Sequence, residues 1–505
     1  MSLPNVADRV WESALPPAQH GPLAQLAANS IEAGHCGLRL IGSGSEALQA
    51  RLALIEGATR SLDLQVYQFK ADASGRALMR ALRDTAARGV RVRVLVDDLY
   101  TAGDDGSWLA LAAQPGVQLR LFNPFLAGRE SQVGRLLEVA FGSERMHHRM
   151  HNKLIVADGV LALAGGRNIA DAYFLPLAQG SFVDIDVLVA GASLSSMSLA
   201  FDLYWNSAYS HSLHSVLDAG LSDLPSPASW NGALDRPCAS VACDAVERAR
   251  RDPTPLASEF VLGRLVMRRA QTLVAVDSPE KVENDEVAAD LGMLARTGAQ
   301  VRLLVAQAIQ QVQSELLIVS PYLIPGPTGV AGVSTMRRRD VQVTLLTNSL
   351  AATDEPLVHL SYSKYRAALL REGVTLYEWA PAGGRRVLRE LVAGAPVLRL
   401  HAKAALIDRE LVFLGSMNFD PRSRDVNTEF GLLVRSPELA EDLHALLMQL
   451  IDESAYRLHL QSDGHSLRWT RGDGSIITEG EEPDTDLVSR VLLRLLGPLV
   501  PEDLL

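Results

Sequence analysis

The chain has 505 residues, 48% of them hydrophobic and 21% charged, so it is long enough for two or three domains and can bury a large core, which excludes wholesale disorder. Its formal charge of −11 supplies no general field for holding nucleic acid, and no nucleic-acid partner is expected. Cys36, Cys238 and Cys243 are too few for a disulfide framework and lack the second pair a zinc site wants, so reduced thiols in a reducing compartment are expected.

In chain order, the opening MSLPNVADRVWESALPP shows no basic segment followed by an apolar one, and no stretch reaches the roughly 18 apolar residues of a spanning helix. The expectation is a chain that starts near Met1 and crosses no bilayer by its own helices. ALQARLALIEGATRSLDLQVYQF reads as an amphipathic helix, a turn and a strand from Leu62 to Phe69. A second strand follows around Val90 to Leu99, and a shorter one enters through the turn at Gly116. After a Pro-, Ser- and Ala-rich stretch, read as a linker with one short helix, the same grammar returns. Its strands run from Leu316 to Leu323, around Val341 to Leu350, and after Gly373.

Strands alternating with helices predict an α/β fold of two pseudo-symmetric halves, each a mixed, mainly parallel sheet flanked by helices, with the active site between them. The expected divisions are 1–220, a linker over 221–269, 270–460, and a hairpin with an amphipathic tail over 461–505. The tail from Leu487 to Leu496 is too short to span a membrane. It is either a docked core helix or an interfacial anchor that presents Arg490 and Arg494 to anionic headgroups.

The chemistry lies in HNKLIVADGVLALAGGRN and HAKAALIDRELVFLGSMN. His151, Lys153, Asp158, Gly165 and Asn168 each recur 250 positions later as His401, Lys403, Asp408, Gly415 and Asn418. Residues two apart on a strand share a face, so each histidine projects with its lysine. The small residues Gly165, Gly166, Gly415 and Ser416 leave room for a bulky anion near the backbone. Facing halves would gather two imidazoles, two ammonium groups and the carboxamides of Asn168 and Asn418. Those groups suit a phosphodiester, with donors for its oxygens, one imidazole to attack phosphorus and one to protonate the leaving oxygen. His147, His148 and His151 lack partners at ligand spacing, so no metal is expected. Gly42 and Gly44 read as a turn before a helix.

HxKxxxxD occurring twice, each time followed by G-x-x-N, resembles the phospholipase D superfamily, and the repeats cover most of the chain. RMHNKLIVADG, AGGRNIADAYF, SPYLIPGPTGV, TNSLAATD and GSMNFDPRSRDVNTEFGLLV are more similar to bacterial cardiolipin synthases of the C type, which lack transmembrane helices. The resemblance implies a phosphatidyl-histidine intermediate, no cofactor or metal, and transfer of a phosphatidyl group to an alcohol. It implies phosphatidylglycerol and phosphatidylethanolamine as substrates and a cytoplasmic protein bound peripherally to the inner face of a membrane. The oligomeric state stays open, and the alternative is a phospholipase D-type hydrolase of phospholipid or nucleic acid.

By the same resemblance His151, Lys153, Asp158, His401, Lys403 and Asp408 are catalytic, and Asn168, Asn418, Gly166 and Ser416 bind phosphate. Aligning FVDIDVLV with NTEFGLLV sets Asp184 opposite Glu429, where each carboxylate would orient a histidine. Asp158 and Asp408 either share that role or organise their turns. The analogy leans to His151 as nucleophile, although the repeat makes the halves nearly symmetric. Asn348, Thr353, Asp354, His359 and Tyr362 belong either to a capped helix start or to a substrate pocket. Tyr322, Leu323 and Ile324 are candidates for a wall that excludes water.

Overall fold

The structure is a computed structural model that describes residues 6, 9–32, 34–101, 105–125, 133–135, 144–177, 180–217, 227–236, 238–281, 300–381 and 398–485. The tail segment from Leu487 to Leu496 lies outside them. In the first half the strands are β1 (Cys36–Ile41), β2 (Ser61–Val66), β3 (Arg91–Asp97), β4 (Val117–Phe122), β5 (Leu154–Ala157), β6 (Leu161–Gly165), β7 (Ser181–Val183), β8 (Asp186–Gly191) and β9 (Ser210–Ser212). Then come β10 (Arg268–Val276), β11 (Glu315–Val319), β12 (Gln342–Asn348), β13 (Thr375–Trp379), β14 (Leu398–Leu400), β15 (Ala404–Ile407), β16 (Leu411–Gly415) and β17 (Phe430–Arg435). The closing strands are β18 (Ala455–Leu460), β19 (Leu467–Thr470) and β20 (Ile476–Glu479).

Each half is built on a parallel core, β2–β3–β4 and β11–β12–β13, whose strands are mostly buried along their length, the polar Asp63, Gln65 and Arg93 included. Antiparallel strands extend it: β5, β6 and β8 beside β2, and β15, β16 and β17 beside β11. The halves meet where β1 pairs antiparallel with β10, joining all the described strands but β7 and β14 into one 18-stranded sheet. Facing side chains from both halves share one core, with Leu154, Val187 and Phe201 beside Leu317, Leu406 and Leu443. Fully burying each such side chain stabilises the fold by roughly 1.5–3 kcal/mol, so the inter-half contact is part of the folded core.

Two smaller pairings bring the motif strands of one half onto the other. Strand β7 runs parallel to β14 with Val183 opposite Leu400, and Met150 bridges Thr428 in the same sense. Thus the residue before each histidine is pinned to the opposite half.

Among its described residues, the stretch expected to be a linker carries three helices, Pro227–Leu234, Val241–Arg251 and Pro255–Leu262. The middle one buries Ala245, Val246 and Ala249 against the first half, where Gln49 donates to the Ala249 carbonyl at 2.6 Å. Thr254 caps the last of them, Pro255 starts it and Gly263 ends it in the left-handed region. Small alanines at helical spacing make a buried face that a search for large apolar residues overlooks.

Cys238 and Cys243 form a disulfide with Cα atoms 5.9 Å apart, and Cys36 is a buried free thiol. The expectation of three reduced thiols is corrected for that pair, because one short loop at a helix start closes a bridge without a wider framework. Among the described residues no helix is long and apolar enough to cross a membrane.

Candidate active site

The two histidines sit where β5 and β15 begin, each held by its backbone to the other half. His151 N donates to the Thr428 carbonyl at 2.9 Å, and His401 N donates to the Val183 carbonyl at 2.7 Å. Both imidazoles, both lysines and both orienting carboxylates are buried. The carboxylates are exchanged between halves: Nδ1 of His151 lies 3.0 Å from Oε2 of Glu429, and Nδ1 of His401 lies 2.6 Å from Oδ2 of Asp184. A carboxylate only accepts, so Nδ1 of each ring carries the proton and Nε2 is left as the free lone pair.

The lysines close the cluster. Lys153 and Lys403 each donate to the carbonyl of their own histidine at 2.6 Å. Lys403 Nζ also lies 2.9 Å from Nδ1 and 3.2 Å from Nε2 of His401, while Lys153 lies over the Tyr67 ring at 5.1 Å. Tyr67 meets His151 edge-on at 5.0 Å, as Tyr173 meets His401 at 5.2 Å.

Burial sets the electrostatics. It pushes His151 down to about 4 against the pull of Glu429, and takes His401 well below its usual value with Lys403 adding to the effect. Burial also pushes Lys403 down to about 8, against the raising influence of Asp184 and Glu429. Lys153 falls well below the lysine value through burial and the charge of Lys403. Burial pushes Glu429 the other way, yet His151, Lys153 and the Ser416 hydroxyl outweigh it and hold the carboxyl at about 2. The centre therefore holds neutral imidazoles over an ionised carboxylate. An arriving phosphodiester anion favours protonation of one of them.

Asn168 and Asn418 are buried at the ends of loops after β6 and β16. Asn168 Nδ2 donates to the Tyr173 hydroxyl at 2.8 Å, and the Oδ1 atoms of both asparagines have no hydrogen-bond partner. Gly166 and Ser416 lie against the two carboxylates. A Cβ at Gly166 would stand 2.2 Å from Asp184 Oδ1, and the Ser416 hydroxyl donates to Glu429 Oε2 at 2.5 Å.

Asp158 and Asp408 stand outside this centre and organise their turns, one of the two readings the sequence left open for them. They lie beyond the far ends of β5 and β15, in turns where both have positive φ, 53° and 52°. Asp158 accepts from the backbone of Thr59, Arg60 and Ser61 and from the Thr59 hydroxyl. Asp408 does the same for Gln313, Ser314 and Glu315, and for the Ser314 hydroxyl. Each carboxylate tethers its turn to the start of β2 or β11.

Sequence reasoning passed over Asp97, at the end of β3. Its Oδ2 accepts from Met150 N at 2.9 Å, and Asn348, at the end of β12, accepts from Leu400 N at 3.0 Å while donating to the Leu400 carbonyl at 2.9 Å. These two residues clamp the position just before each histidine. Their signal in the sequence is a polar residue ending each middle core strand. Among the other candidates, Thr353 and His359 are buried, His359 Nδ1 lies 3.1 Å from the Asn348 carbonyl, and the Tyr362 hydroxyl donates to Glu378 at 3.0 Å. Leu323 and Ile324 are also buried, with Leu323 bridging Phe419.

Duplicated strand-end histidines with lysines two residues on, closed across a pseudo-twofold junction, define an enzyme of the phospholipase D superfamily. The sequence profile of the family described as "Cardiolipin synthase, PLD-like domain" matches residues 52–189 and 305–451, and the chain belongs to that family. It is 34% identical over 482 residues to cardiolipin synthase C of Escherichia coli (strain K12), covering 94% of this chain and 97% of the relative. It is 25% identical over 420 residues to cardiolipin synthase A of Pseudomonas entomophila (strain L48), covering 83% and 69%. Among solved structures, phosphatidylserine synthase from Haemophilus influenzae Rd KW20 shares the fold with a TM-score of 0.53 at 15% identity, over 83% of this chain and 87% of that one.

Proposed function

We propose that this protein is a phosphatidyltransferase that forms cardiolipin from phosphatidylglycerol and a phospholipid donor, with phosphatidylethanolamine as that donor. The observation that carries the reading is the exchanged pair of carboxylates, which puts the proton of each imidazole on Nδ1 and the lone pair on Nε2 in one buried centre. In the first step Nε2 of one histidine attacks the donor phosphorus. A P–N bond forms, the P–O bond to the headgroup breaks, and the other imidazolium protonates the departing alcohol. In the second step the now neutral imidazole takes the proton of a phosphatidylglycerol hydroxyl, whose oxygen displaces the histidine from phosphorus. Lys153, Lys403, Asn168 and Asn418 hold the phosphate oxygens in this account, and Glu429 and Asp184 fix the rings.

Water at about 55 M competes for the second step, so the site must hold the lipid alcohol close and exclude water. Membrane contact is peripheral in this reading, at the cytoplasmic face. The mechanism is tested by denaturing enzyme mixed with short-chain donor in alkaline detergent, where a P–N bond survives, and mapping the adduct by mass. A phosphatidyl group on a peptide carrying His151 or His401 supports it, and turnover without any histidine adduct contradicts it.

A further inference from the structure

Each half supplies a histidine, a lysine, an asparagine and a carboxylate to the centre, but the residues around them differ between the halves. The 250-position offset sets Tyr173 opposite Ser423 and Phe174 opposite Arg424. The backbone bonds of the two histidines set Val183 opposite Thr428, hence Phe182 opposite Asn427. At these four positions the first half, whose Tyr173, Phe182 and Val183 meet His401, is aromatic or aliphatic where the second half is polar.

Tyr173 and Phe182 stack at 4.7 Å, and their ring centres lie 5.2 and 5.1 Å from the His401 ring. Behind them opens a cavity of about 390 Å³ between 42–45, 172–176, 181–183 and the helix Val241–Arg251, with Leu398 on its wall. That volume is in the range of small-ligand sites. Phe182, Val183 and Leu398 are only half-buried, so apolar surface is left wet beside the reacting group. Arg248 is exposed on the same wall and forms no ion pair among the described residues.

We propose that this groove seats a fatty-acyl chain of the phospholipid whose phosphate lies between the two histidines. The inference rests on the phospholipid reading above and adds where the chain goes. An apolar chain attached to a phosphate covers the half-buried Phe182, Val183 and Leu398 and keeps water from His401. Arg248 then faces the anionic headgroups of the surrounding lipid.

The test uses full-length protein and phosphatidylglycerol with a diazirine at the end of one acyl chain, photolysed and mapped by mass. Label is expected on peptides spanning 42–45, 172–183 and 245–252, and excess plain phosphatidylglycerol should suppress it. Label confined to 421–428, or to surfaces outside the groove, overturns the proposal. Ala172→Trp should fill the groove, lowering turnover of dioctanoyl phosphatidylglycerol about tenfold while cleavage of bis(4-nitrophenyl) phosphate, which has no chain, stays within about twofold. Equal effects on both substrates, or on neither, contradict it, and Leu398→Gln gives the same comparison if the tryptophan variant misfolds. Photolabelling reads binding without turnover, so a groove that labels in a protein making no cardiolipin would leave the chain site standing and remove the transferase reading.

Discussion

Glu429 holds Nδ1 of His151 at 3.0 Å from 278 positions further along the chain, so the first half's histidine is oriented by the second half's carboxylate. Asp184 returns the relationship to His401 across 217 positions. Neither half carries a complete centre, and the junction of β1 with β10 and the shared core become conditions of catalysis.

Glu429→Gln keeps the shape but turns an ionised acceptor into a neutral amide. Loss of an orienting partner of this kind costs about 10- to 100-fold in activity, and that fall in kcat is expected here with little change in KM. Asp184→Asn should behave alike through His401. Steady-state kinetics on short-chain substrate checks both, and near wild-type kcat in either variant would contradict the exchange.

Asp158→Ala should cost stability instead of chemistry. It removes a buried carboxylate that accepts from three backbone N–H groups and a hydroxyl. Leaving those donors unmet costs about 1–3 kcal/mol each at most, less where water replaces the carboxylate. Thermal melting should show a clear drop, with kcat below the transition within about threefold of wild type. A large kcat loss at unchanged Tm would return Asp158 to the catalytic groups.

Burial holds Lys403 near 8, far below the lysine value of 10.5, so its charge is complete below that pH and lost as pH rises through it. An ammonium needed for phosphate binding then gives kcat/KM an alkaline limb near pH 8. A profile flat to pH 10 would remove Lys403 from that role. Occupancy by a phosphate anion should move the limb upward in kcat, since the anion favours the charged lysine.

Asn348→Leu deletes both bonds to Leu400, and Asp97→Leu deletes the one to Met150. A displacement of about 1 Å at a reacting group can cost about 100-fold, so each should lower kcat at least about tenfold. Asp97→Asn retains an acceptor and should keep most activity. That rescue, read in kcat at equal Tm, separates positioning from general destabilisation.

Much of this was legible before the fold was known. The 250-position repeat located both histidines, both lysines and both asparagines, and aligning the valine-rich strands located Asp184 and Glu429. The exchange was hidden because strand spacing says which residues share a face, not which half supplies a partner. Asp158 and Asp408 were left between two readings for a related reason: they belong to the motif by spacing, but the four residues of β5 or β15 separate them from the histidines. Asp97 stood alone on a strand end, with no spacing to mark it. One short helix was expected in the stretch that carries Val241–Arg251, but its docking on the first half escaped because that helix's buried face is mostly alanine.

The most direct measurement of the central claim is the product of the purified enzyme on vesicles of phosphatidylglycerol and phosphatidylethanolamine, with lipids identified by mass and the released alcohol assayed. The account predicts cardiolipin, with ethanolamine freed in step. Phosphatidic acid as the main product, even with phosphatidylglycerol in excess, would contradict it and make the protein a hydrolase.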